Sequence, residues 1–117
     1  MALHNELGVA GEHLAEEYLK SIGFTIIERN WRNGHYEIDI VASKNKILHF
    51  IEVKTRRNNK YGFPEEGVNK KKMRCLIYAG DSYLQQHPYW KRIQFDILAI
   101  TFSGDAPEYF MIEDVYL

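Results

Sequence analysis

Asp39, Glu52 and Lys54 are the residues of this chain whose types and spacing best suit joint chemistry. Glu52 and Lys54 interrupt the apolar run "FIEVKTR" (50–56), and Asp39 sits in "YEIDIVA" (36–42). Strand side chains alternate, so Glu52 and Lys54 share a face with Leu48 and Phe50. By the same parity Glu37, Asp39 and Val41 share a face of the preceding strand. Clustered carboxylates raise one another's pKa or bind a cation. An oxygen-only donor set suits a hard divalent ion, Mg²⁺ or Mn²⁺. Such an ion polarises a phosphate and acidifies a bound water. A lysine beside it can orient that water, help deprotonate it, or stabilise developing negative charge. These parts suit phosphodiester hydrolysis.

The elements that must position these residues can be read along the chain. Leu7, Ala10, Leu14, Ala15, Tyr18, Leu19 and Ile22 recur at the helical period and predict a helix over 5–22. Asn5 suits its N-cap and Gly23 its stop. Gly8 and Gly11 weaken a helix, which makes sense where its end approaches another backbone closely. Strands are predicted at 24–31, 36–42 and 47–55, a loop at 56–64, and a second helix at about 65–87, ended by Pro88. A strand over 92–102 and an edge strand over 107–117 follow. Three consecutive strands predict an antiparallel meander, and the long second helix a crossover to the fourth strand. A two- or four-residue connection within "SKNK" sets Val41 across from Leu48, Asp39 from Phe50 and Glu37 from Glu52, a register that a three-residue turn would break. Asp39 and Glu52 are then diagonal neighbours about 7–8 Å apart at the backbone.

The 117 residues fit one domain, 1–117, and 45% hydrophobic with 26% charged residues is the balance of a globular protein. The single Cys75 excludes an internal disulfide and a multi-thiolate zinc site; it reads as a small apolar helix residue. The N-terminus lacks a basic segment followed by an apolar run, and no stretch approaches a membrane span, so a cytoplasmic protein with no membrane partner is expected. Net charge is −1, but residues 54–74 hold eight Lys or Arg against two acids. Lys54, Arg56, Arg57, Lys60, Lys70, Lys71, Lys72 and Arg74 form either a basic patch that can neutralise phosphates or a solvated loop and helix face, and charge alone does not choose between them. On helical geometry Lys70 and Lys72 border the apolar stripe of the second helix, and Lys71 points away from it. Tyr61 and Phe63 in the basic loop could stack on unpaired bases or pin the loop to the core. His49 faces away from Glu52 and reads as a packed histidine; Trp31 and Trp90 read as packing residues.

An acid, about a dozen residues, then Glu-X-Lys on the next strand is the PD-(D/E)XK nuclease pattern, here Asp39 and Glu52-Val53-Lys54. With "GVAGEHLAEEYLKSIGFTIIERNWR", "YEIDIVA", "FIEVKTR" and "RIQFDIL" in that order, the chain resembles the YraN-like family of small bacterial proteins. The resemblance implies an α/β, restriction-endonuclease-like core: a central mixed sheet flanked by helices in αβββαββ order, similar to archaeal Holliday-junction resolvases. It implies that Asp39, Glu52 and the Val53 backbone carbonyl hold the ion and that Glu12 of the first helix joins the site, while Glu37 of the "GEID" position is a direct ligand, a support to the ligands or a structural residue. Lys54 would assist the water, and Arg56, Arg57, Lys60, Lys70 and Lys72 would contact nucleic acid, DNA first of all. The family often has Gln where this chain has Met73, Arg where it has Gln94, and Gly where it has Tyr36. A metal-dependent endonuclease is the first expectation. A nucleic-acid-binding module without cleavage and a protein-docking domain are its rivals. Cutting two strands symmetrically would favour a homodimer.

Overall fold

The structure is a computed structural model that describes residues 2–57 and 70–115. The elements are α1 (Ala2–Ser21), β1 (Thr25–Asn33), β2 (Tyr36–Lys44), β3 (Ile47–Arg56), α2 (Lys70–Gln86), β4 (Ile93–Ser103) and β5 (Ala106–Ile112). The sheet order is β1-β2-β3-β4-β5. Pairing is antiparallel except between β3 and β4, which run parallel across the α2 connection. This is the α/β mixed sheet with two flanking helices of a restriction-endonuclease-like core, in the expected αβββαββ order. No helix of the described residues is long and apolar enough to cross a membrane.

Alternating side chains give the sheet two apolar faces, and each helix covers one. Ala15 and Leu19 of α1 pack with Phe24, Ile40, Ala42, Ile51, Leu98 and Ile100. Met73, Leu76, Ala79 and Tyr83 of α2 pack with Ile38, Val41, Leu48, Phe50 and Ile97. Burial on both faces is why β3 and β4 read as near-continuous apolar runs. Any polar residue in them is therefore conspicuous.

Helix α1 begins at Ala2, so Asn5 lies within it and not at its cap. Its other end closes as expected. Gly23 has φ 101°, its N–H donates to the Lys20 carbonyl at 3.1 Å, and the Phe24 N–H donates to the Leu19 carbonyl at 2.9 Å. This is a Schellman closure, with Phe24 and Leu19 in apolar contact beside it. Gly11 lies against a side chain, not a backbone: a Cβ there would collide with Cγ2 of Thr55 on β3. Helix α2 ends at Gln86, before Pro88. The expected residues 65–69 of that helix lie outside the described residues, as do Lys60, Tyr61, Phe63 and the side chain of Lys70.

Gly80 lets α2 lie close on β3 and β4. An added methyl would sit 2.8 Å from a Phe95 ring carbon and 3.0 Å from the buried Phe50 ring. Gly80→Ala should lower stability by about 1–3 kcal/mol from overpacking, despite a helix-propensity gain of about 1 kcal/mol. Urea unfolding midpoints would check this; a stabilised variant would contradict it.

The β2–β3 register differs from the expected one by two residues. Val41 pairs with Phe50 and Ser43 with Leu48, and Lys44 and Ile47 close the hairpin. The cause is the turn. Asn45 and Lys46 both have positive φ, 53° and 65°, so the two-residue turn is centred on them, one position later than the middle of "SKNK". A shift of two preserves parity in β3, so Glu52 and Lys54 keep their side of the strand.

Candidate active site

The regular alternation of β2 breaks at Asp39. Ile38 packs with α2, whereas Ile40 packs with α1. The faces assigned by parity to Glu37, Asp39 and Val41 therefore hold only from Ile40 onward. Across the β1–β2 register, level with Asp39, Asn30 adopts a left-handed backbone at φ 51°. The β2–β3 ladder ends at the Ile40–Ile51 pair. Beyond that point β2 parts from β3, and Asp39 and Glu52 are the next residue on each strand.

A side chain fills the role the ladder gives up. The Val53 N–H donates to Asp39 Oδ2 at 2.8 Å. A strand residue's N–H and C=O face the same neighbour, so the Val53 carbonyl also faces the gap. On the α2 side of β3, Lys54 Nζ lies 3.7 Å from Glu52 Oε1. The second carboxylate oxygen, Glu52 Oε2, is buried and has no hydrogen-bond partner among the described residues. Leaving a charged acceptor so costs folding free energy, about 1–3 kcal/mol or more.

The electrostatics follow from this crowding. Burial raises the Asp39 pKa to about 6, opposed by the Val53 N–H and reinforced by the charges of Glu52, Glu37 and Glu12. Burial lowers the pKa of Lys54, and the amine of Lys72 on α2 lowers it further; Glu52 and Asp39 pull it back up. Lys72 thus meets Lys54 across the α2–β3 boundary. The cleft around these groups has a volume of about 440 Å³, and its wall includes Glu37, Asp39, Glu52, Lys71, Lys72 and Cys75.

The remaining candidates are placed less directly. Glu37 lines the cleft but is paired with Arg32 at 3.4 Å. Glu12 is half-buried on α1 and reaches Asp39 through its charge. Among the described residues no three His, Cys, Asp or Glu side chains converge as a metal cage. The oxygen donors facing the gap are the two carboxylates and the Val53 carbonyl. That set fits a hard ion that keeps several waters and takes one or two carboxylates, as Mg²⁺ does. Arg56 is half-buried and Arg57 exposed, at the end of β3 beyond Lys54.

Three cleft residues, His35, Lys71 and Cys75, were not expected at the site. Lys71 joins the wall, though helical geometry points it away from the apolar stripe. Cys75 is exposed, against the expected buried helix residue. The signal was there: Lys71 and Cys75 are four apart, on the same helix flank. A larger recess of about 630 Å³ lies between α1 and β1. Its buried carboxylate, Glu16, is already matched by Lys20 at 3.3 Å and Arg29 at 3.4 Å, so it has no comparable unmet demand.

The sequence profile of the Uncharacterised protein family UPF0102 matches residues 11–100. The chain belongs to the UPF0102 family. A UPF0102 protein of Bacteroides thetaiotaomicron is 45% identical over 86% of this chain and 83% of its own. One from Cytophaga hutchinsonii is 44% identical over 84% and 87%. One from Rhodococcus opacus is 38% identical over 99% of this chain and 100% of its own. The UPF0102 match is the YraN-like resemblance noted from the motifs, and it spans α1 to β4, which include every element lining the cleft.

Proposed function

We propose that this UPF0102 chain is a divalent-metal-dependent endonuclease that hydrolyses phosphodiester bonds in DNA. The observation that carries the reading is the buried, unpartnered Oε2 of Glu52 beside Asp39, whose pKa is raised to about 6, with Lys54 alongside. A fold does not keep an unmet buried carboxylate oxygen for stability. A cation there would satisfy it.

Asp39, Glu52 and the Val53 carbonyl would hold Mg²⁺ or Mn²⁺, which when bound polarises the scissile phosphate and acidifies nearby water. Asp39 is oriented by the Val53 N–H, so its second oxygen is left to point toward an ion. Lys54 orients the attacking water through its amine. Its lowered pKa eases release of its own proton and so suits it to take one from that water. The water oxygen bonds to phosphorus as the bond from phosphorus to the leaving sugar oxygen breaks. Lys71 and Lys72 line the cleft and can neutralise the flanking phosphates.

The test is direct. Purified protein is incubated with labelled single-stranded, duplex and four-way-junction DNA in Mn²⁺ or Mg²⁺, beside a Glu52→Ala, Lys54→Ala double variant. Cutting by the wild type and not by the variant is the expected outcome. Binding without cutting by either protein would replace this reading with that of a binding module. Neither binding nor cutting would leave a docking role.

A further inference from the structure

One wall of the cleft continues into aromatic rings that the hydrolytic chemistry does not use. His35, at the β1–β2 turn, lines the cleft with Asp39 and Glu52. Its ring centroid lies 4.9 Å from that of Tyr36, which in turn lies 5.9 Å from that of Tyr78 on α2. Tyr78 lies one helical turn beyond Cys75, so it extends the wall that Lys71 and Cys75 begin. It is 53% exposed, so a face of its ring is open to a ligand. Tyr36 is half-buried against the α2 core and fixes the position of the group. The three rings come from two separate elements, and cations Lys71 and Lys72 stand on the same wall.

Rings beside phosphate-binding cations form the arrangement that holds a nucleotide by its base and its backbone together. A base inside a duplex is covered on both faces by its neighbours. Only an unpaired base can lay a face against a side-chain ring. We infer that His35, Tyr36 and Tyr78 form a stacking shelf for an unpaired base next to the scissile phosphate, so that the substrate is single-stranded or carries an unpaired segment at the cut. The inference rests on the nuclease reading of the cleft and names its substrate class. Tyr78 is the contact residue, and Tyr36 is a positioning residue for it.

The test measures binding and cutting separately. Binding of a short fluorescein-labelled single strand, and of the same sequence as a duplex, is followed by anisotropy in Ca²⁺. Base–aromatic stacking predicts that Tyr78→Ala weakens single-strand binding by about 5- to 100-fold and leaves duplex binding unchanged. Tyr78→Trp, which keeps a ring, should restore it. Tyr89→Ala, removing a tyrosine that is 68% exposed in the α2–β4 connection, should have no effect. A fluorescent adenine analogue in the single strand should be quenched by the wild type and not by Tyr78→Ala. Equal weakening of both ligands by Tyr78→Ala, or no preference of the wild type for the single strand, would overturn the shelf. Preferential, Tyr78-dependent single-strand binding without cutting in Mn²⁺ would leave the shelf standing and remove the nuclease reading. Cutting without that preference would do the reverse.

Discussion

Asp39→Asn is expected to make the protein more stable at about pH 8, by about 3 kcal/mol, while removing its response to divalent ions. Asp39 is ionised in the unfolded chain above its ordinary pKa of 3.8, but in the folded protein only above about 6. Between those values the folded state binds more protons than the unfolded one. Stability therefore falls as pH rises from about 4 to about 6 and stays reduced above that range. Asparagine carries no charge to bury and keeps an oxygen to accept the Val53 N–H. The gain should be full above about pH 6 and shrink toward nothing as pH falls to about 4. Denaturant unfolding of both proteins across that range would measure it. A variant less stable than wild type at about pH 8, or a gain that does not shrink in acid, would contradict the account.

The divalent arm of the same experiment has the opposite sign. An ion that binds only the folded wild type stabilises it by about 2.7 kcal/mol at a hundredfold excess over Kd. Mn²⁺ should thus raise the wild-type melting temperature at about pH 8 and leave Asp39→Asn unmoved, and the wild-type rise should fade as Asp39 takes up its proton below about pH 6. A rise of equal size in both proteins would show that the ion binds elsewhere. The readout needs no cleavage, so it tests the cleft independently of any substrate.

These charges could be read from local pattern only up to the point where the chain bends. Period-two alternation was enough to seat Glu52 and Lys54 beside Leu48 and Phe50, because β3 alternates without a register shift and is covered on both faces. Alternation failed at Asp39, where β2 turns between Ile38 and Ile40. That turn accompanies a positive φ at Asn30, across the sheet, which no pattern in "YEIDIVA" announces. The register was displaced because Lys46, not a residue that favours a left-handed backbone, occupies one of the two turn positions. The consequence for the site is specific. Asp39 is not a diagonal neighbour on a continuous ladder but a carboxylate capping the first N–H that the ladder leaves open. His49 and Asp96, 47 residues apart, meet only because β3 and β4 lie side by side, and nothing local to either announces the pair.

That pair gives the largest stability loss expected outside the cleft. His49 packs on the α1 face against Phe24, with ring centroids 4.8 Å apart. Its Nδ1 donates to Asp96 Oδ2 at 2.6 Å. Asp96 is 0% exposed, and its other oxygen accepts from Gln94 Nε2 and from the Asp114 N–H, each at 2.9 Å. One carboxylate thus joins β3 and β4 and holds the chain beyond β5, where the Val115 N–H also reaches the Phe95 carbonyl. Gln94 is here a donor to that carboxylate. Asp96→Ala removes three acceptor contacts and leaves the buried His49 and the Asp114 N–H without theirs. Loss of one member of a buried pair costs about 3–5 kcal/mol, a large share of the roughly 5–15 kcal/mol that holds a typical domain folded. Asp96→Asn, which keeps one oxygen, should cost less, because either His49 or the Asp114 N–H retains an acceptor. Denaturant midpoints should therefore fall in the order wild type, Asp96→Asn, Asp96→Ala. A loss under about 1 kcal/mol for the alanine variant would show that the carboxylate is dispensable to the fold. The site cleft lies on the other face of β3, so in Asp96→Asn the Mn²⁺-induced rise in melting temperature should persist, which separates damage to the fold from damage to the site.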